Sequence, residues 1–117
     1  MTNGFGPEKR KHVRVKIDGD LTIYHVQPSV SGNIYEVHAK PLVARISDVS
    51  ENGIKMEVGD AHLPTEILKV KFNVHKHEPV DAYAKMVWKN GASCGLQFII
   101  LEKQSHRRIK EYVSLNL

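Results

Sequence analysis

Apolar side chains fall on every second position through most of this chain. Val13, Val15 and Ile17 alternate with Arg14 and Lys16. Ile54, Met56 and Val58 alternate with Lys55 and Glu57, and Leu68, Val70, Phe72 and Val74 with Lys69, Lys71 and Asn73. Val80, Ala82, Ala84, Met86 and Trp88 form another such run, and Cys94, Leu96, Phe98 and Ile100 the next. Period-two alternation places one set of side chains on one face of a pleated strand, so each run reads as a half-buried strand. The spacing predicts strands over 13–26, 34–46, 54–58, 68–74, 80–88 and 94–100. Asp18-Gly19-Asp20 interrupts the first as a bulge or a tight turn, and Pro41 disturbs the second. The segments 27–33 and 59–64 read as loops, and Asn90-Gly91 is a hairpin signal. After Leu101 the period lengthens. Ser105 caps a helix over 105–115, with Ile109, Tyr112, Val113 and Leu115 on its apolar side. Trp88, in phase with Ala84 and Met86, is assigned to core or rim packing.

Six short, closely spaced antiparallel strands must hide their edges, and a small closed barrel does so. With 117 residues the chain is one domain. It divides into a flexible N-terminal lead over 1–9 and a barrel domain over 10–117 that includes the helix. The fold class is mainly β: a small six-stranded antiparallel β-barrel with a C-terminal α-helix and a flexible N-terminal arm.

The formal net charge is +4 and is concentrated. Lys9, Arg10, Lys11, Arg14 and Lys16 against Glu8 account for that whole excess, so the body is balanced and the arm is basic. Such a distribution suits a local anionic partner better than a long nucleic-acid footprint. Cys94 is the single cysteine, which excludes an internal disulfide and fits a reducing, cytoplasmic setting. It reads as a buried small hydrophobe. No apolar run is long enough to insert in a membrane, and residues 1–7 lack the apolar segment of a signal peptide.

Two motifs carry chemistry. Arg10 and Arg14 form R-x-x-x-R at the mouth of the first strand, and Asp48, Ser50 and Gly53 form D-x-S-x-x-G between the second and third. A guanidinium fork matches a phosphate, or the paired O6 and N7 acceptors of guanine, at two points. A carboxylate accepts from the N1–H and N2–H donors of guanine and so discriminates against adenine. The Ser50 hydroxyl can donate to a phosphate oxygen or orient Asp48, and Gly53 supplies positive φ or close backbone approach. Taken singly, R-x-x-x-R is also what a solvated basic arm looks like, and D-x-S-x-x-G is also a serviceable hairpin turn. Their conjunction and order place both at one end of a barrel.

In that order the two motifs resemble the signature of the PilZ domain, a bacterial cyclic di-GMP receptor, and the similarity extends over about residues 8–114. Gly53-Ile54-Lys55-Met56, Ala84-Lys85-Met86-Val87-Trp88 and Gly95-Leu96-Gln97-Phe98 are similar to strands of that family. The resemblance implies a split barrel whose arm folds over cyclic di-GMP. Arg10 and Arg14 would bind guanine and phosphate, Asp48 guanine, and Ser50 and Gly53 would complete the pocket, with Lys9 and Lys11 able to add contacts. Lys9 precedes the first arginine, a position that in the family influences whether one ligand or a stacked pair binds. The expected function is that of a second-messenger receptor that orders its arm to signal to a downstream protein partner, with no cofactor and no enzymatic activity.

The alternatives are a small barrel binding single-stranded nucleic acid, or a ligand-free PilZ-like adaptor. Against the first, Tyr24, Tyr35 and Tyr83 read as scattered rather than as a stacking platform. The intact motifs oppose the second. His75 and His77, with His62 or His38, could hold a metal but read as polar loop residues. Arg107, Arg108 and Lys110 read as a solvated helix face. No catalytic constellation or nucleotide-binding loop occurs in the sequence.

Overall fold

The computed structural model describes residues 13–28, 35–59, 67–75 and 78–117. The elements, in chain order, are β1 (Val15–Pro28), β2 (Tyr35–Val49), β3 (Gly53–Glu57), β4 (Ile67–His75), β5 (Glu78–Asn90), β6 (Ser93–Leu101) and helix α1 (Lys103–Leu115). All strand pairs are antiparallel, and they close in the order β1-β2-β3-β6-β5-β4. The lead over 1–9, Arg10 and Lys11 lie outside the described residues, as do His62 and His77.

The alternation read from the sequence is what fills the barrel. Leu21, Ile23, Ile46, Val49, Ile54, Met56, Leu68, Val70, Val80, Ala84, Cys94 and Leu96 are all buried inside it. Each large side chain removed from water contributes ~1.5–3 kcal/mol, so closure of the sheet and filling of its interior are one event.

Extra residues interrupt this regularity. Asp18-Gly19-Asp20 is a bulge within the continuous strand β1, since Lys16 pairs with Asp48 but Gly19 with Ile46. Around Pro41, residues 39–41 face Tyr24 alone, which accommodates a proline that cannot donate to the ladder. Gln27 and Pro28 extend β1 rather than opening a loop, and pair with Glu36 and Tyr35. In β5 and β6 the bulges change the reading more. Met86 pairs with Leu96 and Trp88 with Gly95, so Val87 is extra; Ala84 pairs with Phe98 and Tyr83 with Ile100, so Ile99 is extra. Each insertion reverses the phase beyond it. Ile100, expected inside by alternation, and Trp88, expected in the core or at its rim, therefore lie on the outer surface along with Val87 and Ile99. The β5–β6 hairpin turns through Gly91, whose φ of 62° is the left-handed conformation that glycine tolerates.

Helix α1 begins earlier than the sequence indicates. Glu102 occupies the N-cap without a side-chain bond, and Ser105 lies inside the first turn. Ser105 is buried there and its hydroxyl accepts the Asp81 N–H at 3.2 Å, so it docks the helix rather than capping it. Ile109 and Val113 enter the core, and Tyr112 is half-buried with its hydroxyl donating to the Lys16 carbonyl at 3.1 Å. Arg108 donates to the Pro79 carbonyl at 2.7 Å, so this arginine ties the helix to β5 instead of being merely solvated. Leu115, expected on the apolar face, is 73% exposed because the helical period turns it away from the buried stripe of Ser105, Ile109 and Val113.

Ile109 is fully buried between helix and barrel. Ile109→Ala is expected to lower stability by ~2–5 kcal/mol in chemical denaturation. A shift well under 1 kcal/mol would mean that the helix contributes little to the core.

Candidate functional site

The turn joining β2 to β3 is built by Ser50. Its backbone N–H donates to the Gly53 carbonyl at 2.9 Å. Its hydroxyl oxygen accepts from the N–H groups of Asn52 at 3.1 Å and Gly53 at 3.2 Å. The residue is only 4% exposed. Ser50 therefore serves first as the turn's internal scaffold, and its hydroxyl is not a free group on the surface. The Phe98 N–H donates to the Asn52 carbonyl at 2.9 Å, fastening the turn to β6.

Gly53 is required by proximity and not by positive φ. A Cβ at this position would lie 2.0 Å from the Leu96 carbonyl oxygen, where β6 crosses close to the start of β3. Of the two roles the sequence allows for this glycine, close backbone approach is the one the structure uses.

Asp48 owes its direction to another bulge. Ile46 pairs with Met56 and Asp48 with Lys55, leaving Ser47 unmatched. Ile46 and Val49 both point inward, so the extra residue turns Asp48 to the outer surface. Across the β1 ladder Asp48 faces Lys16, whose Nζ lies 3.7 Å from Asp48 Oδ1. The lysine side chain is 92% exposed and the carboxylate 17%. With the lysine in solvent the pair contributes little to stability, but it sets a half-buried carboxylate beside a solvent-exposed cation. Arg14 is exposed and precedes Val15, the ladder partner of Val49, so the chain enters β1 beside the turn. The sequence residues that the structure brings together are thus Arg14, Asp48, Ser50 and Gly53. Arg10, Lys9 and Lys11 lie outside the described residues.

Ladder register adds residues that the motifs do not contain. Lys16, Asp48, Lys55, Gly95 and Trp88 form a lateral row across β1, β2, β3, β6 and β5. The row is on the outer wall, since Val49, Ile54 and Leu96 alternate inward. Trp88 lies over Gly95, where a Cβ would meet the indole Nε1 at 2.0 Å. The row runs from cation and carboxylate to a flat aromatic surface. Lys16 and Trp88 could not be assigned to it without knowing the bulges at Ser47 and Val87.

A second row brings together two of the three tyrosines expected to be scattered, Tyr24 and Tyr83, while Tyr35 pairs with Pro28 outside it. Tyr24, Lys69, Tyr83 and Ile100 are successive ladder partners across β1, β4, β5 and β6. Elsewhere, no cluster of three or more potential metal ligands occurs among the described residues. His75 packs its ring edge-on to Tyr112, with centroids 5.2 Å apart, and lies 3.8 Å from Glu78. Cys94 is buried opposite Met56, and burial pushes its thiol above the usual range, opposed by the nearby Lys89 charge. No helix among the described residues is long and apolar enough to cross a membrane.

Comparison with known proteins decides the family. The model of the PilZ domain matches residues 8–115. The chain belongs to the PilZ domain family. Its members are regulatory binding domains of the cyclic di-GMP receptor class. Among solved structures, the Bacillus subtilis inhibitor of motility MotI/DgrA superposes with a TM-score of 0.64 at 13% identity. The match covers 91% of this chain and 50% of that one, so it shows the fold, and the present chain spans half of that protein's length. No curated protein sequence matches.

Gly53→Ala is expected to destabilise this PilZ domain by ~1–3 kcal/mol, because the obstruction is backbone. Thermal and urea unfolding would measure it, and a neutral result would disprove the close approach. Cys94 should resist alkylation in the folded protein at about pH 8 and react readily in denaturant, since only the thiolate attacks. Equal labelling rates in the two conditions, read by mass spectrometry, would contradict its burial.

Proposed function

We propose that this PilZ domain is a receptor for cyclic di-GMP that binds its ligand on the outer wall at β1–β2–β3. The observation that carries the reading is the outward-turned Asp48, set by the Ser47 bulge beside Lys16 and the entry of Arg14. A dianionic ligand with two guanines needs cationic forks for phosphate and Hoogsteen edges and a carboxylate for the Watson–Crick edge. Arg10 and Arg14 supply the forks and Asp48 the carboxylate. Ser50 and Gly53 hold the turn that presents it, and Lys9, Lys11 and Lys16 add positive charge. Trp88 ends the same row with an indole face, a surface suited to a purine ring.

Ligand contacts made by Arg10 and Arg14 fix the arm against the wall. Ordering a charged, glycine-containing segment carries an entropic cost that the contacts must exceed. The arm fixed in this way creates a surface that a downstream protein reads. The role is regulatory binding without catalysis, in a cytoplasmic setting.

The Tyr24–Lys69–Tyr83 row supports a second reading, binding of single-stranded nucleic acid through stacking and backbone charge. The two readings separate by salt and selectivity. Nucleic-acid binding falls steeply with salt and shows little base preference.

Isothermal titration with cyclic di-GMP, with cyclic di-AMP and a short oligonucleotide as comparisons, tests the assignment. Arg10→Ala and Arg14→Ala should each weaken cyclic di-GMP binding roughly ten- to hundredfold, with the unfolding temperature retained. Wild-type affinity in either variant would refute the assigned contacts. Asp48→Ala should erode the preference for cyclic di-GMP over cyclic di-AMP, and undiminished discrimination would remove Asp48 from guanine recognition.

A further inference from the structure

Glu51 is the residue between the two fixed points of the binding turn. Ser50 is locked by its own hydroxyl bonds, and Asn52 is fastened to Phe98 on β6. Glu51 does not point along the outer wall with Asp48. Its Oε1 lies 3.3 Å from His106 Nε2 on helix α1. The imidazole is equally well supported. Its neighbour Ser105 is buried and accepts the Asp81 N–H, and Ile109, one turn on, is fully buried, so the helix cannot rotate His106 away from the turn. The pair therefore joins two firmly held elements, the turn and helix α1.

We propose that His106 is a positioning residue for the anion-binding turn. It holds the Glu51 carboxylate against helix α1, so that the turn presents Asp48 and not Glu51 to a dianionic ligand. A released carboxylate one residue from Ser50 would lie well inside a Debye length of bound phosphates, which is ~8 Å at physiological salt. Asp48 gains guanine hydrogen bonds in return for its charge, whereas Glu51 would contribute repulsion alone. The D-x-S-x-x-G pattern leaves position 51 open, and an acidic residue there is tolerated because the imidazole on the helix holds its carboxylate away from the wall. The inference rests on the cyclic di-GMP reading and names the part of the chain that supports it.

The test is a titration series with cyclic di-GMP on the wild type, His106→Ala, His106→Gln, Glu51→Gln and the double variant Glu51→Gln/His106→Ala. Thermal unfolding of each protein confirms the fold, and His106→Gln supplies a second variant should His106→Ala not fold. Loss of His106 should weaken binding about three- to tenfold at low salt, the size of an added like charge at the rim of a site. The defect should shrink in about 0.5 M salt, where charge is screened and purely structural damage is not relieved. Glu51→Gln should bind slightly tighter than wild type, with His106 freed, and the double variant should recover to within about twofold of Glu51→Gln. An equal loss on removing His106 in both backgrounds would show that His106 acts on the ligand or the fold directly, and would overturn the inference alone. Wild-type affinity in the His106 variants would also overturn it. No binding by the wild type would instead defeat the receptor reading, and this inference with it.

Discussion

Closure of the sheet is the constraint on which the rest depends. In an open sheet an extra residue can be absorbed by a frayed edge or a register slip. Here β1 pairs with β2 on one side and β4 on the other, and every strand is similarly held between two neighbours. A slip would turn a row of isoleucine, leucine and valine side chains out of the interior. An inserted residue is therefore accommodated locally, as a bulge that leaves the inward set in place and sends one more side chain outside. Ser47, Val87 and Ile99 are such insertions.

The candidate site follows from this. Asp48 is on the outer wall because Ser47 is extra, and Trp88 because Val87 is extra. Ser50 and Gly53, by contrast, do their work inward, one satisfying the turn's N–H groups and the other letting β6 pass. The motif is thus half presentation and half construction. Helix α1 is part of the same arrangement. Through Tyr112 it bonds to the carbonyl of Lys16, the residue facing Asp48, and through His106 it reaches Glu51. An element that looks like a lid on the barrel's end contacts both sides of the site.

Much of this was legible in the sequence, and the failures have a common cause. Alternation located every strand, because burial of one face dictates period two and little in this chain competes with it. Asn90-Gly91 marks its hairpin and Ser50 lies on the expected turn, but β2 runs on through Val49, so Asp48 is a paired strand residue and not part of the turn. The outward aim of Trp88 and Ile100 escapes the pattern because alternation carries no memory of an inserted residue, and a bulge at Val87 or Ile99 has no compositional mark. Ser105 reads as a cap because cap and interior serine look alike until the partner is known, here the Asp81 N–H from another element. The outward aim of Asp48 and the hold of His106 on Glu51 depend on ladder register and tertiary contact, which no local pattern encodes.

The Ser47 bulge has a consequence for how such a surface can change over generations. What directs Asp48 is the number of residues between Ile46 and Val49, both of which point inward, and not the chemistry of the residue that makes up the number. Substitutions at position 47 leave that number intact and forfeit only the bond from the Ser47 hydroxyl to the Lys55 carbonyl at 3.3 Å. Loss of a single codon there would draw Asp48 toward the apolar interior or force Val49 out of it. The wall is forgiving of spelling and intolerant of miscounting, and lineages carrying it should accumulate replacements at Ser47 long before they accept a deletion.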